Sequence, residues 1–392
     1  MIVNKDKKYL RAVNIINNAE ASPIPLLDEN YKVFSTLTAI LKHLLTEDEI
    51  NFIFAFKRKT SQTMEQLKIS SELSEEQIFE KVNNLTKKSV IFNQPNRHGV
   101  MVYKLLSFVR IFENSFMKDV EPSDYVEKLA VLFAQVFGEL TDFYQEHYDF
   151  ISNMIRNTPP ITRIFPILEN RQSEKDIEII LNEELEVPEE KILHLKNIEE
   201  IIEKFDDVAV GNCYCRHHKE FLDDPCKLNA PLKSCFTFGK TARFTSEQGF
   251  AKLVSKDEAL KILKETEEYG LVHKSFHNNF DINKDIMAIC NCCKCCCVIS
   301  GENLIIPHVD TTNYLAKINY DLCKGIGMCV EKCINEAIQL NDEKKAVVSK
   351  ENCIGCGVCA SFCPEGAISL LEGSRNVAVL PRRRDKDPII IT

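Results

Sequence analysis

Cys353-Ile354-Gly355-Cys356-Gly357-Val358-Cys359-Ala360-Ser361-Phe362-Cys363-Pro364 decides how the C-terminal part of this chain folds. Three cysteines stand three residues apart, a fourth follows, and a proline closes the run. Thirty residues upstream the same frame recurs. Cys323, Gly325, Gly327, Cys329, Cys333, Ala337, Ile338 and Leu340 answer to Cys353, Gly355, Gly357, Cys359, Cys363, Ala367, Ile368 and Leu370. Chance does not readily produce eight matches at one constant offset. The stretch is therefore an internal repeat built around thiolates. One position breaks the match: where the second copy has Cys356, the first has Ile326.

This spacing resembles the two-cluster bacterial-type ferredoxins, and the likeness runs over residues 318–371. A compact turn lets three thiolates converge on one cube of iron and sulfide. Small Gly355 and Gly357 let backbone N–H groups approach the cluster sulfurs, and hydrogen bonds there tune the potential. A zinc ribbon would instead show two Cys-x-x-Cys pairs separated by a loop. The resemblance implies a (βαβ)2 fold in which the fourth cysteine of each copy serves the partner's cluster. It thus implies a [4Fe–4S] cluster on Cys333, Cys353, Cys356 and Cys359. The other set is Cys323, Cys329 and Cys363, short by one ligand because Ile326 cannot bind iron. Three thiolates suit a [3Fe–4S] cluster or a [4Fe–4S] cluster with one open iron. The alternative is a degenerate, empty site, since Ile334 also replaces the proline that follows Cys363 in the second copy.

Ten further cysteines lie upstream: Cys213, Cys215, Cys226, Cys235, Cys290, Cys292, Cys293, Cys295, Cys296 and Cys297. Six cysteines within eight residues cannot all turn toward one small metal, so they serve two sites or one large cluster with bystanders. Soft thiolates favour Fe–S, zinc or Cu(I). Beside a ferredoxin-like repeat, further Fe–S clusters lead and zinc comes second. One economical grouping sets Cys213, Cys215, Cys226 and Cys235 in one site and some of Cys290 to Cys297 in another. Arg216, His217 and His218 stand where they would tune or complete such a site; the preferred reading pairs Arg216 with an acidic neighbour and leaves His217 and His218 solvated. His273, His277 and His308 have no spacing that singles them out.

The cysteine distribution also bounds the class of protein. All 17 fall between Cys213 and Cys363 in a chain of 392 residues with no Trp. A disulfide scaffold would be short and would follow a signal peptide, whereas Met1–Lys8 leads into no apolar core segment. The longest uncharged apolar-rich run, Leu129–Gly138, is well short of a membrane span. The expectation is a cytoplasmic protein without a membrane span. A net charge of −9 offers no general attraction to nucleic acid.

The fold class expected is α+β and multidomain. Residues 1–29 read as an arm closed by Ser22-Pro23-Ile24-Pro25. Residues 30–118 read as a mainly helical winged-helix-like domain. In it Ser74 and Gln77 form a capping box, and a hairpin turns at Pro95–Gly99. Residues 119–157 read as a connecting helix, and 158–312 as a Cys-rich mixed α/β domain with extended runs at Arg163–Leu168, Lys191–Leu195 and Asp207–Cys215. The ferredoxin-like domain takes 313–373. A basic tail, 374–392, carries Arg382-Arg383-Arg384; it reads as a solvated end or as a guide for an acidic partner. The winged-helix-like front, Gly211–Arg216, Gly270–His273 and Cys290–Cys293 together resemble a group of anaerobe proteins with a C-terminal ferredoxin module.

The function these readings imply is electron transfer through iron–sulfur clusters, as a subunit or partner of an anaerobic oxidoreductase. No nucleotide-binding glycine motif and no nucleophile–base constellation is present, so an open cluster iron is where chemistry would occur. The alternative is a redox-sensing regulator that uses the front domain on DNA; a third class is metal storage or cluster delivery. Between residues 31 and 118 there are 13 basic and 9 acidic residues. The candidate recognition helix opens Glu75-Glu76-Gln77, which is poor chemistry for base readout. A redox protein is the expected partner rather than nucleic acid.

Overall fold

The computed structural model describes residues 4–20, 32–173, 175–181 and 198–384. The front of the chain is α1 (Asn4–Asn17), α2 (Lys32–Leu44), α3 (Glu47–Ile53), β1 (Ser61–Gln62), α4 (Met64–Ser71), α5 (Glu75–Lys87), β2 (Ile91–Pro95) and β3 (Met101–Leu105). Each helix from α3 to α5 opens on a reciprocal capping box, with Thr46, Thr63 and Ser74 as caps. The three strands form a sheet in the order β1-β3-β2. The segment expected to be an arm differs: its described part is helix α1, which buries Tyr9, Ala12, Val13 and Ile16. Those residues recur at helical spacing, so burying one face stabilises a helix there. Ser22–Pro25 lie outside the described residues.

Three helices follow: α6 (Phe108–Met117), α7 (Asp124–Glu146) and α8 (Tyr148–Arg156). The expected continuous connecting helix is interrupted at His147, whose φ of −111° and ψ of 26° leave the helical region. It is also core rather than connector, since Leu129, Ala130, Phe133, Val136 and Leu140 of α7 are buried.

The body of the protein is one nine-stranded sheet. Its strands are β4 (Thr162–Phe165), β7 (Ile179–Leu181), β8 (Val208–Asn212), β9 (Lys233–Phe238), β10 (Lys252–Leu253), β11 (Val272–His277), β12 (Ile286–Cys292), β13 (His308–Ile318) and β16 (Ile368–Val379). They are ordered β10-β8-β9-β12-β11-β4-β13-β16-β7. A short hairpin of β5 (Glu169–Asn170) and β6 (Lys175–Asp176) stands apart. Helices α9 (Ile198–Lys204), α10 (Tyr214–Glu220), α11 (Gly239–Glu247) and α12 (Lys256–Glu268) connect the strands. The extended run expected over Asp207–Cys215 ends earlier: β8 stops at Asn212, and Cys213 begins α10. Lys191–Leu195 lie outside the described residues.

Between β13 and β16 come α13 (Met328–Lys332), the hairpin of β14 (Ile338–Leu340) and β15 (Ala346–Val348), and α14 (Val358–Ser361). β13 and β16 pair antiparallel from Ile318↔Ile368 to His308↔Val379, and they join the large sheet through parallel pairing with β4 and β7. The boundaries expected at 312/313 and 373/374 therefore fall inside two strands that the repeat and the middle region share. The tail is not free in its described part. Arg383 meets Asp149 and Arg384 meets Asp142, each at 2.8 Å, and Gln145 donates to the Arg382 carbonyl.

Candidate metal centres

The repeat gathers its seven thiols into two sets. One cavity is lined by Cys333, Cys353, Cys356 and Cys359, and a second by Cys323, Cys329 and Cys363 with Ile326 at its rim. Backbone N–H groups point at the sulfurs: Ala337 N donates to Cys333 Sγ at 3.1 Å, and its repeat mate Ala367 N to Cys363 Sγ at 3.4 Å. Burial raises the thiol of Cys333 to about 11 and that of Cys356 to about 12. Without metal these groups are neutral at pH 7, so binding iron releases protons.

Gly357 shows why the loop needs a residue without a Cβ. Its φ is +73°, and a Cβ there would lie 2.2 Å from the Ile167 carbonyl oxygen. The close approach is used, because Ile167 N donates to the Cys356 carbonyl at 3.0 Å. Asn170 Nδ2 donates to the carbonyls of Ala360 and Cys363. The segment 167–171 thus clasps the second half of the repeat. The first half faces outward, with Ile326 56% exposed.

The ten middle cysteines divide, though not as the spacing implied. Cys226 leaves Cys213, Cys215 and Cys235 and joins Cys293, Cys295 and Cys296, with all four sulfurs within 4.8 Å of one another. The other six form a chain of thiol contacts: Cys290 with Cys235, Cys235 with Cys213, Cys213 with Cys215, Cys215 with Cys297, and Cys297 with Cys292. Strand geometry explains part of this, since Cys290 and Cys292 are two apart on β12 and share a face. The run Cys290–Cys297 therefore serves two groups, with Cys290, Cys292 and Cys297 at its ends in one and Cys293, Cys295 and Cys296 between them in the other.

Two buried cations flank the six thiols. Arg216 is 1% exposed, and it bonds to the carbonyls of Asn291 and Pro231 and to Ser234, not to the expected carboxylate. Burial works against its charge, but the thiolates of Cys213, Cys293 and Cys235 hold its pKa above the usual value. Lys274, fully buried on β11, pairs with Asp310 at 2.9 Å and faces Cys292 and Cys297. The histidines expected in solvent are buried: His217 bonds to the Phe116 carbonyl and His218 to that of Ala130. Burial lowers His218 to about 4 among Phe112, Phe116 and Phe137, so it is a neutral core residue. Lys274, Asp310 and His308, which meet in one buried network, escaped sequence reading. The sequence carries little signal for it, since Lys274 stands between His273 and Ser275 and Asp310 between Val309 and Thr311.

A cavity of about 130 Å³ reaches the six-thiol group at Cys235 and Cys290. Its wall carries Phe92, Phe244 and Met287 beside Arg110, Glu113 and Tyr214. Tyr214 Oη lies 3.5 Å from Cys290 Sγ, and burial raises the pKa of the Glu113 carboxyl although Arg110 contacts it at 2.5 Å.

The two regions also meet. Lys294, inside the cysteine run, pairs with Glu336 at 3.3 Å, three residues past Cys333, and its charge acts on that thiol. No described helix is long and apolar enough to cross a membrane.

Comparison with known proteins agrees with the repeat. The family of 4Fe-4S binding domains matches residues 346–369. A protein of Methanosarcina thermophila described as a probable ferredoxin is 50% identical over 36 residues, which cover 9% of this chain and 62% of that protein. The shared segment is therefore less than two thirds of the relative's length. No solved structure matches the chain. The C-terminal region is a ferredoxin-like iron–sulfur domain whose family binds a [4Fe–4S] cluster, set in a larger chain of mixed helix and strand.

Proposed function

We propose that this chain is an electron-transfer protein whose ferredoxin-like repeat relays electrons between an external redox partner and the cysteine-rich middle region. The [4Fe–4S] cluster belongs on Cys333, Cys353, Cys356 and Cys359. Cys323, Cys329 and Cys363 hold a three-iron cluster, or a four-iron cluster with one open iron. The six-thiol group of Cys213, Cys215, Cys235, Cys290, Cys292 and Cys297 is the further iron–sulfur site. Such clusters supply one-electron chemistry. The residues of this chain hold them, shield them and set their charge.

The observation that carries this reading is position. The complete quartet stands between the outward-facing first half and the middle region, which reaches it through Ile167, Asn170 and Lys294. Electrons entering at the exposed end pass inward. Arg216 and Lys274 offset the negative charge of the six thiolates, which favours the reduced form there. The cavity beside Cys235 and Cys290 admits a small acceptor of largely apolar character. Anaerobic protein should therefore take up electrons reversibly in more than one step and pass them to a redox enzyme of the same cell. Absence of any reversible reduction would defeat the proposal.

The regulator reading draws little from the front. The exposed face of α5 presents Glu75, Glu76 and Glu80 with Phe79 at 64% exposure, a surface suited to a protein rather than to phosphate. The location is proposed to be the cytoplasm, where unbridged thiols persist.

A further inference from the structure

The sulfurs of Cys226, Cys293, Cys295 and Cys296 differ from every other cysteine group in one respect, their spacing. Cys226 Sγ lies 3.7 Å from Cys295 Sγ, which lies 3.9 Å from Cys293 Sγ and 3.6 Å from Cys296 Sγ. Four sulfurs about 2.3 Å from one tetrahedral ion are separated by about 3.8 Å. Four thiolates on a cubane stand much farther apart, on the order of 6 Å, because each lies outside a separate iron. The chain supplies its own standard. Among the described residues, no three sulfurs of the ferredoxin-like repeat come within 4.8 Å of one another, whereas all four of this group do. The group encloses room for one ion and not for a cluster.

We infer that Cys226, Cys293, Cys295 and Cys296 bind a single zinc ion, separate from the iron–sulfur sites. Four thiolates close the tetrahedral shell and leave no position for substrate, the pattern of a structural zinc. Cys226, Cys293 and Cys296 are buried and Cys295 partly so, with Arg216 contacting Cys293 to offset the excess negative charge. The backbone is folded for the purpose. Glu302 N donates to the Lys294 carbonyl at 2.9 Å, and Asn303 Nδ2 caps the Cys295 carbonyl. Gly301, at φ +72°, lets the two strands of this loop touch, because a Cβ there would lie 2.2 Å from the Lys294 oxygen. The ion staples the turn at Cys226 to the loop 293–303, a link across 67 residues. Since Cys292 and Cys297 flank the liganding run, the staple also fixes two members of the six-thiol group.

The test uses the full chain from iron-replete, anaerobic growth, with zinc, iron and sulfide counted together. The expected result is one zinc per chain that remains after the iron clusters are destroyed by oxidant. X-ray absorption at the zinc edge should show four sulfur neighbours near 2.3 Å and no metal–metal distance. In Cys295→Ser, zinc should fall several-fold while the iron held by the ferredoxin-like repeat is unchanged. Absence of zinc from the wild-type protein, iron at this site as a lone ion or a cluster, or a zinc shell containing nitrogen or oxygen would overturn the assignment. The absorption measurement on wild-type protein decides the matter even where the variant fails to fold. These counts do not depend on electron transfer, so this inference and the proposed function stand or fall separately.

Discussion

The two halves of the ferredoxin-like repeat share one cysteine frame at a thirty-residue offset and live in unlike surroundings. The second half is held by Ile167 and Asn170, and its cysteine loop packs against β13 and the turn before β5. The first half faces solvent, and there Ile326 stands where the second half has Cys356. A thiolate clasped by neighbouring backbone is hard to replace, since its loop is fixed from outside. A solvent-facing loop accepts an apolar residue with little disturbance. The difference teaches that the repeat's symmetry belongs to its sequence and its division of labour to its contacts.

The comparison can be broken most severely at the inner half. Cys356→Ser should remove close to a whole cluster, about four irons per chain, seen by iron analysis and visible absorbance. Retention of full iron would refute the ligand set. The opposite change, Ile326→Cys, restores symmetry; it should add about one iron per chain and abolish any paramagnetic signal of an oxidised three-iron cluster. An unchanged spectrum would mean that Ile326 does not stand at a vacant ligand position.

A conformational comparison comes next. Gly357→Ala meets both a left-handed φ and the Ile167 carbonyl, whereas Gly327→Ala meets only the φ of +86°, its nearest neighbour being Leu340 at 3.9 Å. The first should cost about 3 kcal/mol and the second about 1 kcal/mol, read from denaturant midpoints. Equal losses would show that the clasp at Ile167 adds nothing.

The pH dependence separates loaded from empty protein. In apo-protein the thiols of Cys333 and Cys356 ionise near 11 and 12, above their unfolded value. Their contribution is thus complete below the unfolded value near pH 9 and is lost progressively from there until pH reaches about 11 to 12, by a few kcal/mol. Loaded protein, whose thiolates are already deprotonated, should lack this alkaline loss. Thermal unfolding of both forms from pH 7 to 10.5 measures it. The smallest effect belongs to the contact between regions: Lys294→Ala removes a partly exposed ion pair and should change stability by under about 1 kcal/mol.

Local spacing makes the repeat legible, because the cysteines of each half sit within a dozen residues, 323–333 and 353–363. The capping box at Ser74 is legible for the same reason. The partition of the middle cysteines was not, since it depends on which strands lie side by side. β9 and β12 meet antiparallel with Ile289 opposite Phe236, which sets Cys235 beside Cys290, and nothing near either cysteine announces that register. Cys226 was misplaced because sequence proximity favoured Cys213 over partners 67 residues away. The usual preference of their types puts Arg216 beside a carboxylate and the two histidines in solvent. Carbonyl acceptors from α6, α7 and the loop before β9 let them be buried. Helix α1 was missed because the prolines that follow it outweighed the periodicity of Tyr9, Val13 and Ile16.

The shared strands bear on how the protein is made. β7 and β13 both lie against β16, so residues near 180 and 310 wait for β16 to leave the ribosome before those edges are covered. A chain that stops early exposes two unpaired strand edges, a template for aggregation and a mark for proteolysis. The set of Cys323, Cys329 and Cys363 likewise stays incomplete until Cys363 has been synthesised, whereas Cys333, Cys353, Cys356 and Cys359 precede it in the chain.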